Sequence, residues 1–166
     1  MGPGCGSNPA ERTQTTRPPD RRGPAPGTPE PATWSFRAMN TDVEVVGAPE
    51  DPAPWFARLE GLWSRFDEDS ALCQLNRWSG RWVAVPPLLH LAVRQALAAA
   101  RLTGGAFDPT ILPALVAAGY GRSFELGPTE PGPAVPAGRW PEVRLGPGMV
   151  FLPEGVALDL GGIGKG

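Results

Sequence analysis

Cysteine, lysine and histidine are all scarce in this chain of 166 residues, and these shortages narrow the possible chemistry. The two cysteines, Cys5 and Cys73, provide neither the spacing of a metal site nor a disulfide framework. Charge of one sign is also lacking, because 15 Lys and Arg face 17 Asp and Glu and the net charge is −2. No run of basic residues marks a surface for a phosphate backbone. We therefore do not expect a nucleic-acid partner.

Long hydrophobic runs are absent as well. No stretch approaches the roughly 18–20 apolar residues that a membrane-spanning helix requires. The first six residues contain no apolar core of the kind found in a signal peptide. Cys5 follows four residues only, whereas a lipidated cysteine needs an apolar run before it. As written, the sequence predicts a cytoplasmic protein with no membrane span, and export of a full-length form stays open.

Proline and glycine are abundant, but they are concentrated in two segments. Of the 22 Pro and 22 Gly, residues 1–33 hold 8 Pro and 5 Gly, and residues 127–155 hold 7 Pro and 6 Gly. Residues 1–32 carry almost no large apolar side chains, so burial cannot offset the entropy that they would lose on ordering. The composition predicts a disordered Pro/Gly/Arg-rich head at 1–32 and a folded domain at 33–166.

The first part of the domain alternates strands and helices. Aromatic and β-branched residues from position 33 onward predict two strand pieces with a break at residues 39–41. Asp51-Pro52 then begins a helix whose apolar residues recur at the spacing of one buried face. These residues are Trp55, Leu59, Leu62, Trp63 and Phe66. A polar turn and a short helical piece follow, at about residues 64–76.

The second predicted helix has the clearest boundaries. It begins at Pro86-Pro87 and stops at Gly104-Gly105. Its apolar face consists of Leu89, Val93, Leu97 and Ala100. A short apolar helix is expected at 111–118, an irregular loop at 127–141, and a hairpin that pairs Met149–Leu152 with Val156–Leu160. Together the elements predict an α+β fold, with amphipathic helices packed on a mostly antiparallel sheet.

The last eight residues, Asp159-Leu-Gly-Gly-Ile-Gly-Lys-Gly166, form a glycine-rich segment after a predicted strand. Such loops bring backbone N–H groups close to a phosphate, and a following helix normally completes the arrangement. The segment is not a P-loop, because Asp159 stands at the place of the first glycine and Gly166 at the place of Ser or Thr. A glycine-rich turn with a surface lysine is the simpler interpretation. Since no helix follows, we expect a truncated chain.

Four ordered segments together resemble the FAD:protein FMN transferase (ApbE) family. They are Met39-Asn40-Thr41, Ser64–Phe66 with Asp69–Asn76, Gly105–Thr110 (Gly-Ala-Phe-Asp-Pro-Thr) and Ala157–Gly166 (Ala-Leu-Asp-Leu-Gly-Gly-Ile-Gly-Lys-Gly). The resemblance covers residues 33–166 and corresponds to roughly the first half of the family's domain. It implies a truncated ApbE-like α+β domain.

The resemblance also implies a reaction and a site. The family transfers FMN from FAD to a threonine hydroxyl of a target flavoprotein with the help of Mg²⁺, and AMP is released. The implied FAD-binding residues are Met39, Trp78, Ala106, Phe107, Asp108, Asp159 and Lys165. The carbonyl of Gly162 is the implied metal ligand. Glycine-loop amides, one ammonium and Mg²⁺ suit the charge of a diphosphate that is being split.

Two departures from the family pattern affect these expectations. Asn40 replaces the usual glycine of Met-Gly-Thr, which adds a side chain near the nucleotide. The family's second half, with the Asp and Thr side chains that complete its magnesium site, has no counterpart here, so we expect this chain alone to be inactive. The alternatives are a flavin-binding module or an FAD pyrophosphatase without transferase activity, or an inactive fragment.

Overall fold

The computed structural model describes residues 31–39, 41–121 and 127–164. Residues 1–30 of the predicted head lie outside this part, so the head stays a prediction. The chain divides after Pro31, and every element below belongs to the unit Ala32–Gly166. The strands are β1 (Thr33–Ala38), β2 (Thr41–Val46), β3 (Trp82–Ala84), β4 (Arg144–Gly146) and β5 (Met149–Phe151). The helices are α1 (Ala53–Trp63), α2 (Ala71–Arg77), α3 (Pro87–Leu102), α4 (Leu112–Ala117) and α5 (Gly161–Gly164), and a 3₁₀ turn spans Trp140–Glu142.

The described strands form two antiparallel sheets. In the first, β1 pairs with β2, and Phe36 lies opposite Val43. In the second, the order is β3-β5-β4, so that Val150 of the central strand lies between Val83 and Leu145. Val150 is fully buried in the main hydrophobic core. These short sheets and the helices around them confirm the predicted α+β class.

Helix α3 has the predicted bounds and supplies much of the core. Pro87 occupies its first position, where a missing N–H costs no helical hydrogen bond. Six of its residues are buried, namely Leu89, Ala92, Val93, Ala96, Leu97 and Ala100. Full burial of one leucine contributes about 1.5–3 kcal/mol, so this face is a major source of stability. Among the described helices, none is long and apolar enough to cross a membrane.

Helix α1 forms as predicted, but its apolar face is less buried than its spacing indicates. None of its residues is fully buried, and Trp55 remains 49% exposed. The helix ends at Trp63 because Ser64 turns to an extended conformation with ψ 129°, which leaves Phe66 outside the helix and half exposed. Its best-defined aromatic contact is an edge-to-face pair between Phe56 and Phe36 of β1, with ring centroids 5.1 Å apart.

The predicted hairpin between Met149–Leu152 and Val156–Leu160 is wrong. The observed hairpin joins β4 to β5 through Pro147-Gly148, where Gly148 has a φ of +63°. Within the described part of the chain, residues 156–160 pair with no strand, and the backbone of Leu158 bonds to a side chain of α2 instead. The glycine-rich segment, expected to be a turn, itself forms the single helical turn α5.

A surface ion pair orders the 3₁₀ turn before β4. Two guanidinium nitrogens of Arg139 donate to the two carboxylate oxygens of Glu142, at 2.9 and 2.7 Å. This hydrogen bonding lowers the pKa of Glu142 below its ordinary value of 4.5. Arg139 also donates to the carbonyl of Glu154, at 3.0 Å, and so ties the turn to the loop after β5.

The lowered pKa predicts how this pair responds to pH. A carboxyl whose folded pKa is depressed stabilises the fold above its unfolded pKa, and the contribution disappears as the pH falls through the folded value. We therefore expect Glu142→Gln to be less stable than the wild type at neutral pH and equally stable in strong acid. Urea unfolding of both proteins across this pH range measures the difference. A difference that is the same at every pH would contradict the expectation.

Candidate functional site

An open cleft of about 310 Å³ lies between two segments that are some fifty residues apart in sequence. One wall is the loop after α3 together with α4, and the other is the end of the 156–160 segment together with α5. Its lining residues are Ala106, Phe107, Asp108, Ile111, Leu115, Asp159, Gly161 and Gly162. Most of this lining is apolar, and two carboxylates interrupt it. A ligand with an apolar ring system and a few hydrogen-bond donors fits such a surface.

The end of α3 shapes the first wall. Gly104 and Gly105 adopt φ values of +60° and +87°, conformations that glycine reaches without steric cost. The N–H of Gly105 bonds back to the carbonyl of Ala100, at 2.8 Å, as in a glycine-terminated helix. The hydroxyl of Thr103 then accepts a hydrogen bond from the N–H of Phe107, at 3.0 Å. These bonds fix the position of the Phe107 backbone at the cleft.

Asp108 anchors the loop between the cleft and α4. Its Oδ1 accepts hydrogen bonds from the N–H and the hydroxyl of Thr110, at 2.8 and 2.6 Å. Its Oδ2 accepts a hydrogen bond from the N–H of Gly138, at 2.6 Å, in the Pro/Gly-rich loop. Thr110 is 3% exposed, so the pair satisfies two polar groups inside the protein. Asp108 therefore has a structural role in addition to lining the cleft.

Asp159 connects the two walls. Its N–H donates to the carbonyl of Pro109, at 2.9 Å, which joins the 156–160 segment to the loop after α3. Its Oδ1 accepts from the N–H of Gly161, at 2.7 Å, and its Oδ2 pairs with Nε of Arg65, at 3.1 Å. The side chains of Asp159 and Arg65 are each only 15% exposed. Sequence reasoning did not single out Arg65, although it lies within the Ser-Arg-Phe segment.

Two aromatic rings lie against the glycines of α5. A Cβ on Gly162 would stand 2.8 Å from Cε2 of Phe107, closer than such atoms approach one another. A Cβ on Gly164 would stand 3.4 Å from Cε3 of Trp63, at an ordinary contact distance. The indole Nε1 of Trp63 is buried and has no hydrogen-bond partner among the described residues. Gly162 is therefore a position where a side chain would displace the ring of Phe107.

Asn76 of α2 holds the segment that carries Asp159. Its Nδ2 donates to the carbonyl of Leu158, at 2.9 Å, and its Oδ1 accepts from the N–H of Leu158, at 2.7 Å. The Asn76 side chain thereby forms the two backbone hydrogen bonds that a neighbouring strand would otherwise form with Leu158. The Leu-Asn pair belongs to the Asp69–Asn76 segment of the family resemblance, but no local sequence pattern indicates this contact.

The structure brings together only some of the residues that the resemblance implies. Ala106, Phe107, Asp108, Asp159 and Gly162 all line the cleft. Two other predicted residues, Met39 and Trp78, are not among its lining residues. Lys165 and Asn40 lie outside the described residues.

The two predicted residues that do not line the cleft lie in turns. Met39 occupies the turn between β1 and β2 with a φ of +50°, a conformation uncommon for a residue with a side chain. Trp78 follows α2 and is 48% exposed, with the guanidinium of Arg81 stacked 3.7 Å from its ring centroid. Their assignment to FAD stays a prediction.

Magnesium does not fit the described residues alone. It takes about six oxygen ligands, usually including carboxylates and water. In the part of the chain that the structure describes, no three His, Cys, Asp or Glu side chains are grouped so that they could hold a metal ion. The carboxylates of Asp108 and Asp159 already accept hydrogen bonds or ion pairs from protein groups. The assignment of the Gly162 carbonyl as a metal ligand stays a prediction.

Solved structures with the same fold come from several bacteria. The ApbE protein of Thermotoga maritima is 25% identical, with a TM-score of 0.68, and the match covers 82% of this chain and 49% of that one. The flavin transferase ApbE of Vibrio cholerae is 20% identical, with a TM-score of 0.66 and coverage of 82% and 50%. The flavinyl transferase ApbE of Pseudomonas stutzeri is 19% identical, with a TM-score of 0.62 and coverage of 81% and 50%.

This chain therefore spans about half the length of the solved proteins that it matches. No curated protein matches it. The sequence model of the ApbE family matches residues 39–166, which include both walls of the cleft. The chain belongs to the ApbE family.

Proposed function

We propose that the cleft binds FAD and that the protein is an FAD:protein FMN transferase. In this reaction, the hydroxyl oxygen of a threonine in a target flavoprotein attacks the phosphorus on the FMN side of the diphosphate. The P–O bond to AMP breaks, a P–O bond to threonine forms, and the hydroxyl proton is released with AMP. The observation that carries the proposal is the cleft itself, because it joins the Gly105–Thr110 segment to the Ala157–Gly166 segment.

The chemistry of the lining supports a ligand with a ring system. Phe107, Ile111 and Leu115 provide an apolar surface, and an aromatic side chain stacks favourably on a flat ring. Asp108 and Asp159 accept hydrogen bonds, so they suit N–H or O–H groups of a nucleotide. They do not suit its diphosphate, which is also negative. We propose that Lys165 supplies positive charge for the diphosphate.

Mg²⁺ is part of the proposed reaction, where it would neutralise charge on the phosphoryl oxygens. The described residues do not complete a site for it. The same consideration supports the expectation that these 166 residues bind FAD without transferring FMN. A flavin-binding module without transferase activity is accordingly the second candidate function.

The first test of the proposal measures binding of FAD and its fate. We expect isothermal titration calorimetry to detect FAD binding to the chain. After incubation with FAD, Mg²⁺ and a threonine-containing target flavoprotein, we expect mass spectrometry to find no AMP and no flavin on the target. Failure to bind FAD would overturn the proposed site. FMN on the target would establish the proposed transferase and contradict the expected inactivity of this chain alone, and FMN with AMP in solution would identify a pyrophosphatase.

Replacement of Phe107 tests which surface binds the ring. We expect Phe107→Ala to weaken FAD binding about tenfold, because a stacked aromatic contact and its apolar burial together contribute about 1.4 kcal/mol or more. Phe56→Ala is the matched control, since Phe56 packs against β1 and does not line the cleft. Calorimetry on both variants, after circular dichroism has shown that they fold, measures the effect. Equal losses of affinity in the two variants would contradict the assignment.

A further inference from the structure

Arg65 contacts two parts of the structure that are distant from it in sequence, in addition to its neighbour Phe66. Its Nε pairs with Oδ2 of Asp159 at 3.1 Å, and its NH1 donates to the carbonyl of Tyr120 at 2.9 Å, just beyond α4. Its guanidinium lies 4.1 Å from the ring centroid of Phe66. With 15% of its side chain exposed, Arg65 is held more firmly than an ordinary surface arginine.

The contact with Arg65 bears on the hydrogen bonding of the Asp159 carboxylate. Among the described residues, each carboxylate oxygen of Asp159 receives one donor, Gly161 on one side and Arg65 on the other. A carboxylate oxygen has two lone pairs, so within this part of the chain one acceptor position remains on each oxygen. Asp159 lines the cleft, whereas Arg65 is not among its lining residues. Arg65 therefore acts on the cleft through Asp159 rather than by touching a ligand.

We infer that Arg65 is a positioning residue, which fixes the orientation of the Asp159 carboxylate and thereby the hydrogen-bonding geometry offered to the bound nucleotide. This role rests on the proposed FAD site. The contact between Arg65 and Asp159 also links the Ser64–Phe66 segment to the glycine-rich segment. The two segments are so far apart in sequence that no local pattern indicates the contact. The ligand groups that respond to Arg65 are N–H or O–H donors, because the group that Arg65 orients is an acceptor.

A double-mutant cycle tests this inference. The proteins are the wild type, Arg65→Met, Asp159→Asn and the double variant, and Arg58→Met is the matched control, since Arg58 stacks on Trp55 of α1 at 5.5 Å. We expect Arg65→Met to raise the Kd for FAD about tenfold in the wild-type background and less than about twofold in the Asp159→Asn background. Arg58→Met should leave the Kd unchanged. Additive effects of the two substitutions would overturn the inference.

Hydrogen exchange provides a readout that does not depend on FAD. We expect the backbone amides of residues 159–164 to exchange faster in Arg65→Met than in the wild type or Arg58→Met. Unchanged exchange would refute the positioning role even if FAD binding weakened. If the wild type binds no FAD, the proposed function fails, and the exchange rates alone decide whether Arg65 orders Asp159.

A conservative variant covers the case in which Arg65→Met does not fold. Arg65→Lys keeps the positive charge, but an ammonium cannot reproduce the planar guanidinium that reaches both Asp159 and Tyr120. We expect its Kd for FAD to be about threefold or more above that of the wild type, and to change less than about twofold in the Asp159→Asn background. A lysine variant that binds FAD as the wild type does, with unchanged exchange, would show that charge alone is sufficient and would overturn the geometric role.

Discussion

Replacement of Asn76 by alanine is expected to destabilise the protein by about 2–4 kcal/mol. The Asn76 amide satisfies both the N–H and the carbonyl of Leu158, at 2.7 and 2.9 Å, and Leu158 is fully buried. An alanine leaves both groups without partners, and each unsatisfied buried group costs about 1–3 kcal/mol. Urea unfolding measures the change in the free energy of unfolding.

Gln74 of the same helix provides the matched control. Its side-chain amide donates to the carbonyl of Asp69 at 2.9 Å, but on the exposed surface. Gln74→Ala should therefore cost less than about 1 kcal/mol, because water replaces the lost bond. If Asn76→Ala costs no more than this control, the 156–160 segment is not held as described.

The Gly162→Ala substitution is expected to reduce FAD affinity by about tenfold or more, which corresponds to about 1.4 kcal/mol. The new methyl group would stand 2.8 Å from Cε2 of Phe107, so the ring must move within the cleft. In a helix interior, alanine is favoured over glycine by about 0.8–1.0 kcal/mol, and the part of this gain that the single turn α5 realises opposes the strain in the folded protein. The substitution should therefore affect binding more than stability.

Gly164→Ala separates this steric effect from a general effect of alanine in α5. Its methyl group would meet the ring of Trp63 at 3.4 Å, which requires no rearrangement. We expect calorimetry to show an FAD affinity for Gly164→Ala within about twofold of the wild type. Similar losses for Gly162→Ala and Gly164→Ala would show that the position of Phe107 does not control binding.

Helices were predicted correctly from the sequence where the local pattern of apolar residues agrees with their burial in the folded protein. Helix α3 has a continuous apolar face, a proline at its start and two glycines at its end, and all three features act as predicted. The apolar spacing of α1 gave the helix correctly but overstated its burial. Periodicity shows which residues share a face, whereas burial depends on what packs against that face.

The errors and omissions concern contacts that are distant in sequence. The run Val156–Leu160 has the composition of a strand, yet its backbone bonds to Asn76, which no local pattern reveals. The pairing of Arg65 with Asp159 was missed for the same reason. By contrast, the family resemblance selected residues that line one cleft, including Phe107 and Asp159. Motifs can do this because proteins with a common fold place matching residues at corresponding positions.

The most direct test of the proposed FAD site is a map of the amide resonances that shift when FAD is added to the isotopically labelled protein. We expect saturable shifts concentrated in residues 105–110 and 159–164, the two walls of the cleft, and weaker shifts of the same amides in Gly162→Ala. Shifts confined to other parts of the chain, or none at all, would contradict the assignment of this cleft as the FAD site.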